Sequence, residues 1–477
     1  MLTPLTAIMI GAGQRGYGAY GLYALAHPDE IRFTAVAEPN EARRARFAEA
    51  HAIPPDRRFR TWEDLLEQGQ IADVALVCTM DTLHTDPTLA ALEAGYDVLL
   101  EKPMATTLAD CVRLVRAAER TGQLLQVAHV LRYTDFFSTL HDIVASGRLG
   151  EVITVEHREN VVYWHMAHSY VRGNWRRRDS SSPIILAKCS HDLDILTWNL
   201  GRCVRLNSFG SLRHFRAENA PPGAPKRCTD GCPAADGCPY FAPRLYLDLI
   251  PLYHVARNSP DFRDWLGATV MLASPGLVDL IRRLVPPLDR ALDYRGWPIS
   301  TISEDTGREA RLHALEAGPY GRCVYRCDND VVDHQTVNMV FESGASVVLV
   351  MQGHSHEEAR TMRYEGTRAT LRGKFAYGLD DVIGIHDHYT GEVERIKLRN
   401  RGGTMGHGGG DAGIMAAFVR AARGARSGAD GMAGLTTARE SLESHLMAFA
   451  ADRARLENRI VEIDAFRRRV ESGELGK

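Results

Sequence analysis

The chain has 477 residues, of which 45% are hydrophobic and 25% charged, a composition typical of a globular protein with two to four domains. Its 57 basic and 60 acidic residues give a formal charge of -3, which offers no electrostatic footprint for nucleic acid. The N-terminus lacks a basic leader region, and no apolar run approaches the roughly 18 residues that a membrane helix needs. We therefore expect a soluble cytoplasmic protein that binds a small molecule.

The first motif is an apolar run followed by a glycine-rich turn. Residues 5–10 predict a strand, the turn has the spacing G-x-G-x-x-G, and a helical pattern follows. The first glycine permits a tight turn, the second a close approach to a pyrophosphate, and the third close packing of helix and strand. The predicted cofactor contacts in this turn are Gly11, Gly13, Gln14, Arg15 and Gly16.

The second predicted strand, residues 33–37, ends in Glu38. A carboxylate about twenty residues after the glycine turn can hold both hydroxyls of the adenosine ribose. An acid there also repels a 2′-phosphate, which favours NAD over NADP. Arg43 and Arg44 keep NADP open as the alternative.

Strands and helices continue to alternate up to residue 127, which predicts a doubly wound parallel sheet over residues 1–130. The predicted strands cover residues 74–79, 98–100 and 124–127, and the predicted helices cover residues 62–68, 87–94 and 108–120.

Two of these strands end in chemically useful residues. Glu101, Lys102 and Pro103 follow one apolar run, and ligands of open parallel sheets sit beyond the carboxyl ends of strands. Lys102 can therefore reach a substrate, although a surface lysine would give the same pattern. Thr79 and His84 follow another strand, beside the expected nicotinamide. His84 either contacts the ligand or has a structural role at the start of a helix.

Together these motifs resemble the Gfo/Idh/MocA family, the glucose-fructose oxidoreductase and inositol dehydrogenase group. The resemblance is close over the first 130 residues and looser beyond them, and it rests on Gly11–Gly16, Glu38, the loop from Thr79 to His84, Ala94-Gly95 and Glu101-Lys102-Pro103.

The resemblance implies an N-terminal Rossmann domain over residues 1–130 and a C-terminal α/β domain over residues 131–477. In that family the second domain has a large open, mostly antiparallel sheet that supports the substrate site and often an oligomer interface, so we expect a homodimer or homotetramer. The resemblance also implies an NAD(P)-dependent reaction at a sugar or polyol carbon. The lysine of the Glu-Lys-Pro motif, Lys102, is expected near the reacting hydroxyl, with Glu101 beside the cofactor.

The second domain opens with a predicted helix over residues 135–146 and a predicted strand over residues 150–157. The segment from 163 to 176 that follows is rich in aromatic, histidine and arginine side chains. Such a mixture offers flat faces and hydrogen-bond donors to a carbohydrate, although a packed aromatic loop is the alternative. The predicted substrate contacts are Tyr163, His165, His168, Arg172 and Trp175.

A second group of candidate catalytic residues lies around His191, in a helix predicted to begin near Ala187. In the resembling family a helix carries an aspartate and, four residues later, a histidine that acts as general acid and base. His191 matches this histidine, but the aspartate position is Ala187, so Lys188 is the candidate replacement. Asp194 is a candidate for orienting the imidazole, and Asp192 for contacting the substrate. A buried structural histidine remains the alternative for His191.

Oxidation of a secondary alcohol requires a base for the hydroxyl proton. We expect His191 to be that base, with Lys102 as the alternative. Lys102 and Lys188 would polarise the oxygen, and two cations in one site lower the pKa of each other.

An insertion over about residues 213–320 carries a cysteine cluster with the spacing C-x3-C-x5-C-P, and two more cysteines follow it. Three close cysteines plus one from a returning segment predict a four-sulfur metal site, with zinc favoured because it is redox-neutral. An iron-sulfur cluster is the alternative, since Cys-Pro recurs at such ligands, and unliganded thiols or a disulfide remain possible. The predicted ligands are Cys228, Cys232, Cys238 and Cys327.

The remaining pattern predicts sheet strands at residues 335–341, 345–351, 361–364 and 369–372. A glycine-rich segment over residues 402–410 then presents His407 as a candidate substrate contact, and Asp411 can cap the next helix. C-terminal helices are predicted over about residues 411–460, and the final residues to Lys477 are predicted to be polar and exposed.

The leading functional prediction is an NAD-dependent oxidoreductase acting on a sugar, sugar acid, polyol or glycoside. The alternative on the same scaffold is a glycoside-cleaving enzyme that oxidises the ring transiently, eliminates the aglycone, adds water and reduces the ketone again. A third possibility, from another class, is a non-catalytic protein that senses NAD.

Overall fold

The computed structural model describes residues 3–259, 262–273, 294–377, 379–398, 407–427 and 434–474. Parts of the predicted insertion, the glycines at 402–406, a stretch of the predicted C-terminal helices and the last three residues lie outside the described residues. In the described part of the chain, no helix has both the length and the apolar character needed to cross a membrane.

The N-terminal region is a six-stranded sheet in which all neighbouring strands are parallel. The strands are β1 (Leu5–Ile10), β2 (Ile31–Ala37), β3 (Arg58–Phe59), β4 (Val74–Val77), β5 (Asp97–Leu100) and β6 (Leu125–Val127). The helices between them are Leu22–Ala26, Glu41–Ala50, Trp62–Leu66, Thr85–Glu93 and Leu108–Thr121. The predicted doubly wound parallel sheet is confirmed.

The strand order β3-β2-β1-β4-β5-β6 reverses between β1 and β4. In such sheets the loops after the two central strands separate and leave a crevice for a ligand. Every residue of β4 and β5 is buried, as expected for strands that are covered on both faces. The crevice therefore lies beside the glycine turn and the loop that contains Lys102.

The second sheet has nine strands in the order β14-β13-β12-β11-β7-β10-β9-β8-β15. Among the described strands of this second sheet only the β7–β10 pair is parallel, so the predicted open, mostly antiparallel sheet is confirmed. The strands are β7 (Val152–Val162), β8 (Cys203–Ser211), β9 (His334–Phe341), β10 (Ser346–Ser355), β11 (Ala359–Gly366), β12 (Ala369–Phe375), β13 (Val382–Asp387), β14 (Val393–Ile396) and β15 (Val461–Glu462).

The helix that carries His191 spans Ile184–Leu200 and starts three residues earlier than predicted. Every residue from Ile184 to Leu196 is buried. A helix that is buried on all sides must also bury its polar side chains, which is costly unless each one finds a partner. Other helices of this domain are Asp135–Ala145, Gly410–Ser427 and Ala438–Glu457.

The insertion forms a small apolar core of its own against the end of β7 and Trp164. Its described helices are Ala242–Tyr246, Ile250–Ala256, Phe262–Ala273, Ile299–Ile302 and Arg308–Ala317.

The prediction of an exposed polar C-terminus is wrong for the residues just after 460. Val461 pairs with β8, and a helix follows over Ile463–Glu471. Ile463, Phe466 and Val470 of this helix are buried. Three apolar residues at helical spacing were enough to dock it, although charged residues dominate its sequence.

Candidate active site

The three glycines of the first turn have different surroundings. Gly11 has a φ of +93°, and a Cβ there would lie 2.7 Å from the carbonyl oxygen of Cys78, just after β4. A Cβ at Gly16 would lie 2.1 Å from the carbonyl oxygen of Gly11, whereas nothing lies within 4 Å of one at Gly13. The flanking glycines therefore pack the turn tightly, and Gly13 leaves the backbone open, as a bound pyrophosphate requires.

Glu38 stands at the end of β2 with its carboxylate fixed. Its Oε2 atom accepts a hydrogen bond of 2.8 Å from the backbone N–H of Ala12, inside the glycine turn. The neighbouring arginines are engaged elsewhere: Arg43 forms an ion pair of 2.7 Å with Glu304 of the insertion, and Arg44 donates to the carbonyl oxygen of Glu38. The groups that could hold a 2′-phosphate thus already have partners.

Arg15 joins the glycine turn to two other parts of the chain. Its Nε atom lies 2.6 Å from Glu101 Oε1, and its Nη2 atom lies 2.7 Å from Asp411 Oδ1. Burial alone would raise the pKa of the Glu101 carboxyl, but Arg15 and a hydrogen bond from Tyr20 lower it. Arg15 therefore holds the turn in place, while Gln14 beside it is exposed.

His84 is buried between two loops at the crevice. Its Nδ1 atom lies 2.8 Å from the carbonyl oxygen of Pro103, and its Nε2 atom lies 3.2 Å from that of Thr79. The hydroxyl of Thr79 donates to the carbonyl oxygen of Leu83. Because both ring nitrogens face backbone carbonyls, the geometry favours the structural alternative for His84, which ties the loop after β4 to the loop that carries Lys102.

Lys102 reaches across from the parallel sheet to the second domain. Its Nζ atom donates a hydrogen bond of 2.9 Å to the carbonyl oxygen of Ala187. Burial lowers the pKa of the Lys102 ammonium, Asp81 and Glu101 partly offset that effect, and Lys188 lowers the pKa further. Lys102 is therefore a cation with a depressed pKa and a neutral hydrogen-bond partner.

His191 lies one helical turn after Ala187, so both face the same side of the helix. Its ring centroid lies 5.6 Å from that of His129 and 6.2 Å from that of His407. Its Nδ1 atom is buried and has no hydrogen-bond partner among the described residues. Burial, followed by the charge of Lys102, holds the pKa of His191 well below its usual value. His191 is thus a neutral imidazole beside a cation.

Lys188 is buried against two carboxylates. Its Nζ atom lies 2.6 Å from Glu358 Oε1 and 3.2 Å from Glu159 Oε1. Burial would lower the pKa of the Lys188 ammonium, but these two acids raise it well above the usual value. The prediction that the two lysines lower the pKa of each other is therefore wrong for Lys188, since its acidic neighbours outweigh the other cation.

An ion-pair network continues beneath Lys188. Arg360 lies 2.6 Å from Glu159 and 2.8 Å from Asp192, and His157 lies 2.8 Å from Asp192. Burial would raise the pKa of Asp192, but Arg360 and His157 lower it to about 2. Asp192 is fully buried and binds Arg360 and His157, so its predicted contact with substrate is not supported by its position.

Asp194 does not orient His191, contrary to the expectation from spacing. Both of its carboxylate oxygens accept hydrogen bonds from Arg132, at 2.6 and 2.7 Å. Arg132 lies in the turn just after β6, so this buried pair ties the His191 helix to the segment that leaves the parallel sheet.

The predicted substrate contacts in the aromatic segment from 163 to 176 lie in two different places. His165 Nδ1 lies 3.0 Å from Glu358, and Trp175 Nε1 donates to Asp81 in the loop after β4, so both stay near the two lysines. The other three predicted contacts, Tyr163, His168 and Arg172, pack against or bond to residues of the insertion.

His407 lies beside the candidate base. Its Nδ1 atom is 3.2 Å from Asp411 and 3.4 Å from the guanidinium of Arg15. Its ring centroid also lies 6.2 Å from that of His191, so His407 links the glycine turn to the centre of the site.

A zinc site is not supported by the structure. All nine cysteines are free thiols. Within the described ranges, no group of three or more histidine, cysteine or acidic side chains is arranged to hold a metal ion. The predicted ligand Cys327 donates to the carbonyl oxygen of Cys323.

The residues that sequence inspection missed are the charges supplied by β7 and β11. Glu159 and Arg360 face each other in the antiparallel register of these strands, and Glu358 immediately precedes β11. Glu159 lies about 200 positions before Glu358 and Arg360 in the sequence, so no local spacing relates it to them. The available signal was an ionic residue inside each of two otherwise regular strand patterns.

Comparison with known proteins gives two family matches. A family described as an oxidoreductase family with an NAD-binding Rossmann fold matches residues 5–129. The C-terminal alpha/beta domain of the same oxidoreductase family matches residues 142–222.

Among curated relatives, inositol 2-dehydrogenase 2 of Saccharopolyspora erythraea is 31% identical over 169 residues, which is 35% of this chain and 46% of the relative. The 1,5-anhydro-D-fructose reductase of Ensifer adhaerens is 35% identical over 130 residues, 27% of this chain and 38% of the relative. The matched part thus spans less than half of either relative.

Among solved structures, an inositol dehydrogenase homolog from Azotobacter vinelandii complexed with NAD+ superposes with a TM-score of 0.63 at 16% identity. The superposition covers 97% of this chain and 98% of that chain. At this level of identity, the likeness establishes the fold.

Proposed function

The chain belongs to the Gfo/Idh/MocA oxidoreductase family, and from this premise we propose that it transfers hydride between NAD and a carbon bearing a secondary hydroxyl. The proposed substrate class is a sugar, sugar acid, polyol or glycoside. The proposal treats residues 1–130 as the NAD-binding domain and residues 131–477 as the substrate domain.

The observation that carries the proposal is the pairing of Lys102 with the His191 helix. The ammonium group of Lys102 donates to Ala187, one turn before His191, and its charge acts on the imidazole. An alcohol oxidation needs a neutral base for the hydroxyl proton and a cation for the developing negative charge on oxygen. These two side chains supply both groups in one place.

In the proposed mechanism His191 accepts the proton of the substrate hydroxyl. Its depressed pKa keeps the imidazole neutral at neutral pH and therefore ready to accept. Lys102 then donates a hydrogen bond to the oxygen as negative charge develops there. Lys188 stays protonated between Glu159 and Glu358, so it contributes a fixed charge and takes no part in proton transfer.

The residues of the crevice fit a dinucleotide. The open backbone at Gly13 would receive the pyrophosphate, and Glu38 would hold the ribose hydroxyls. NAD, when bound, supplies the hydride acceptor. The ion pair between Arg43 and Glu304 supports NAD over NADP, since it occupies a cation that a 2′-phosphate would need.

The test is an assay of the purified protein against polyols, free sugars, sugar acids and aryl glycosides, with NAD or NADP. We expect stoichiometric NADH from a member of the first three classes, and NADH formation slower by roughly 10²- to 10⁴-fold in a Lys102→Met variant that still binds NAD. Release of an aglycone without net NADH would instead support the glycoside-cleaving alternative. Binding of NAD with no turnover of any class would contradict both enzymatic proposals.

A further inference from the structure

Four cysteines line one small cavity at the inner edge of the insertion. Cys228, Cys232, Cys238 and Cys323 line this cavity together with Arg172. All four are free thiols. Thiols from two distant segments therefore converge on a single space.

The backbone holds these two segments side by side. The N–H of Cys228 donates to the carbonyl oxygen of Gly321, and the N–H of Cys323 donates to that of Lys226, both at 2.9 Å. This pairing positions Cys323 from the returning segment opposite the cluster of Cys228, Cys232 and Cys238. Cys327, the ligand predicted from sequence, does not line the cavity.

A buried cation without an acidic partner adjoins the same cavity. Arg172 is 1% exposed and donates through Nε to the carbonyl oxygen of Arg322 and through Nη2 to that of Tyr240. Its Nη2 atom also lies 3.6 Å from the sulfur of Cys228. No carboxylate in the described part of the chain forms an ion pair with it. A buried charge is costly unless it is compensated, so an anionic group is expected here.

A single metal ion does not match this arrangement. Zn–S bonds of about 2.3 Å would draw four sulfurs to roughly 3.8 Å from one another. Among the described residues no group of three or more thiols is arranged to hold one ion, although four of them line one pocket. In a polynuclear cluster each thiolate binds a different iron atom, so the four sulfurs stand farther apart than they do around one ion.

We propose that Cys228, Cys232, Cys238 and Cys323 hold an iron-sulfur cluster of the [4Fe–4S] type. Four cysteine thiolates are the usual ligand set of such clusters, and soft thiolates select iron-sulfur centres. Prolines follow Cys232 and Cys238 directly, as is common at these ligands. The four thiolates outweigh the charge of the cluster core, so the centre is an anion that compensates Arg172.

The cluster has a positioning role. Arg172 ends the turn Met166–Arg172, and His165 just before that turn contacts Glu358, the partner of Lys188. A rigid centre beside Arg172 therefore fixes the insertion against the segment that borders the candidate active site. Hydride transfer does not pass through the cluster, and the proposal stands independently of the proposed function.

The experiment is to purify the full chain without oxygen and measure iron, acid-labile sulfide and zinc per chain, together with the visible absorption of iron-thiolate charge transfer. We expect about four iron and four sulfide per chain. The matched variants are Cys323→Ser, which removes a proposed ligand, and Cys327→Ser, which removes a thiol four residues away. The first should lose the iron and the absorption, and the second should keep both.

One zinc per chain, or no metal after anaerobic purification and chemical reconstitution, would overturn the proposal. Iron and absorption that persist in Cys323→Ser would overturn the ligand assignment. Should Cys323→Ser fail to fold, Cys232→Ser tests the same ligand set at a partly exposed position. NAD binding by each variant serves as the control for folding of the N-terminal region.

Discussion

The two walls of the candidate active site hold their lysines in opposite ways. On the cofactor wall, formed by the loops after β1, β4 and β5, Lys102 has a neutral carbonyl oxygen as its partner. On the sheet wall, formed by residues of β7, β11 and the His191 helix, Lys188 is bound by Glu159 and Glu358. Burial removes water from both ammonium groups. Only the ammonium group of Lys188 contacts carboxylates that compensate this loss.

The difference shows how one side-chain type can serve two purposes within one site. Burial alone disfavours an ammonium ion, so the pKa of Lys102 falls. Two adjacent carboxylates reverse that effect for Lys188, whose pKa rises. Lys102 is therefore suited to respond to charge that develops on a substrate, whereas Lys188 maintains a constant charge and the shape of the wall.

The largest expected effect follows from neutralising the cofactor wall. Lys102→Met should lower kcat by roughly 10²- to 10⁴-fold, since it removes the charge that stabilises the developing alkoxide. NAD affinity should stay within a few-fold of the wild type. Lys397→Met, at an exposed lysine, is the matched control and should leave kcat unchanged. Equal kcat for Lys102→Met and the wild type would contradict the role assigned to the Lys102 charge.

Substitutions on the sheet wall should change the stability of the fold. Lys188→Met removes the cation that Glu159 and Glu358 share and should lower the free energy of unfolding by about 3–5 kcal/mol. The double variant Lys188→Met with Glu358→Gln removes one of these charges and should recover part of the loss. Urea denaturation followed by circular dichroism measures both. A loss in the double variant at least as large as in the single one would contradict the assigned pairing.

A buried histidine, His129, should make the free energy of unfolding depend on pH. Burial lowers the pKa of His129 to about 4, so the unfolded chain binds this proton at a higher pH than the folded chain. Its contribution to stability is present above the unfolded pKa of about 6.5 and is lost as the pH falls towards 4.

The matched variant for this effect is His129→Leu, because neither ring nitrogen of His129 has a partner among the described residues. Between about pH 7 and about pH 5, we expect the wild type to lose about 2 kcal/mol more unfolding free energy than the variant. Parallel stability curves for the two proteins in thermal or urea unfolding would contradict the depressed pKa.

The smallest expected effect concerns cofactor choice at the rim of the cofactor wall. Glu304→Gln releases Arg43 from an exposed ion pair, which is worth at most about 1 kcal/mol. The ratio of NADP affinity to NAD affinity should therefore rise by up to about five-fold, as measured by fluorescence titration. Glu309→Gln, another exposed acid of the insertion, is the control. A ratio that changes equally in both variants would argue against a specific role for Arg43.

The two walls also differ in how far the sequence predicts them. The glycine turn, Glu38 and Lys102 lie at the ends of consecutive strands, so local periodicity and spacing were sufficient to place them at one edge of the sheet. On the sheet wall, Glu159 meets Arg360 only through the register of β7 and β11. The orienting role expected for Asp194 failed for the same reason, since its partner Arg132 lies 62 residues earlier in the chain.

The most direct test of the central claim is the ionisation of the two lysines. The chain has only six lysines, so 13C-labelled dimethyl-lysine signals can be assigned with Lys102→Arg and Lys188→Arg and followed by NMR against pH. We predict that Lys102 deprotonates below the value of about 10.4 for free lysine and that Lys188 stays protonated above it. The reverse order, or coincident titration of both lysines at the free value, would contradict the account.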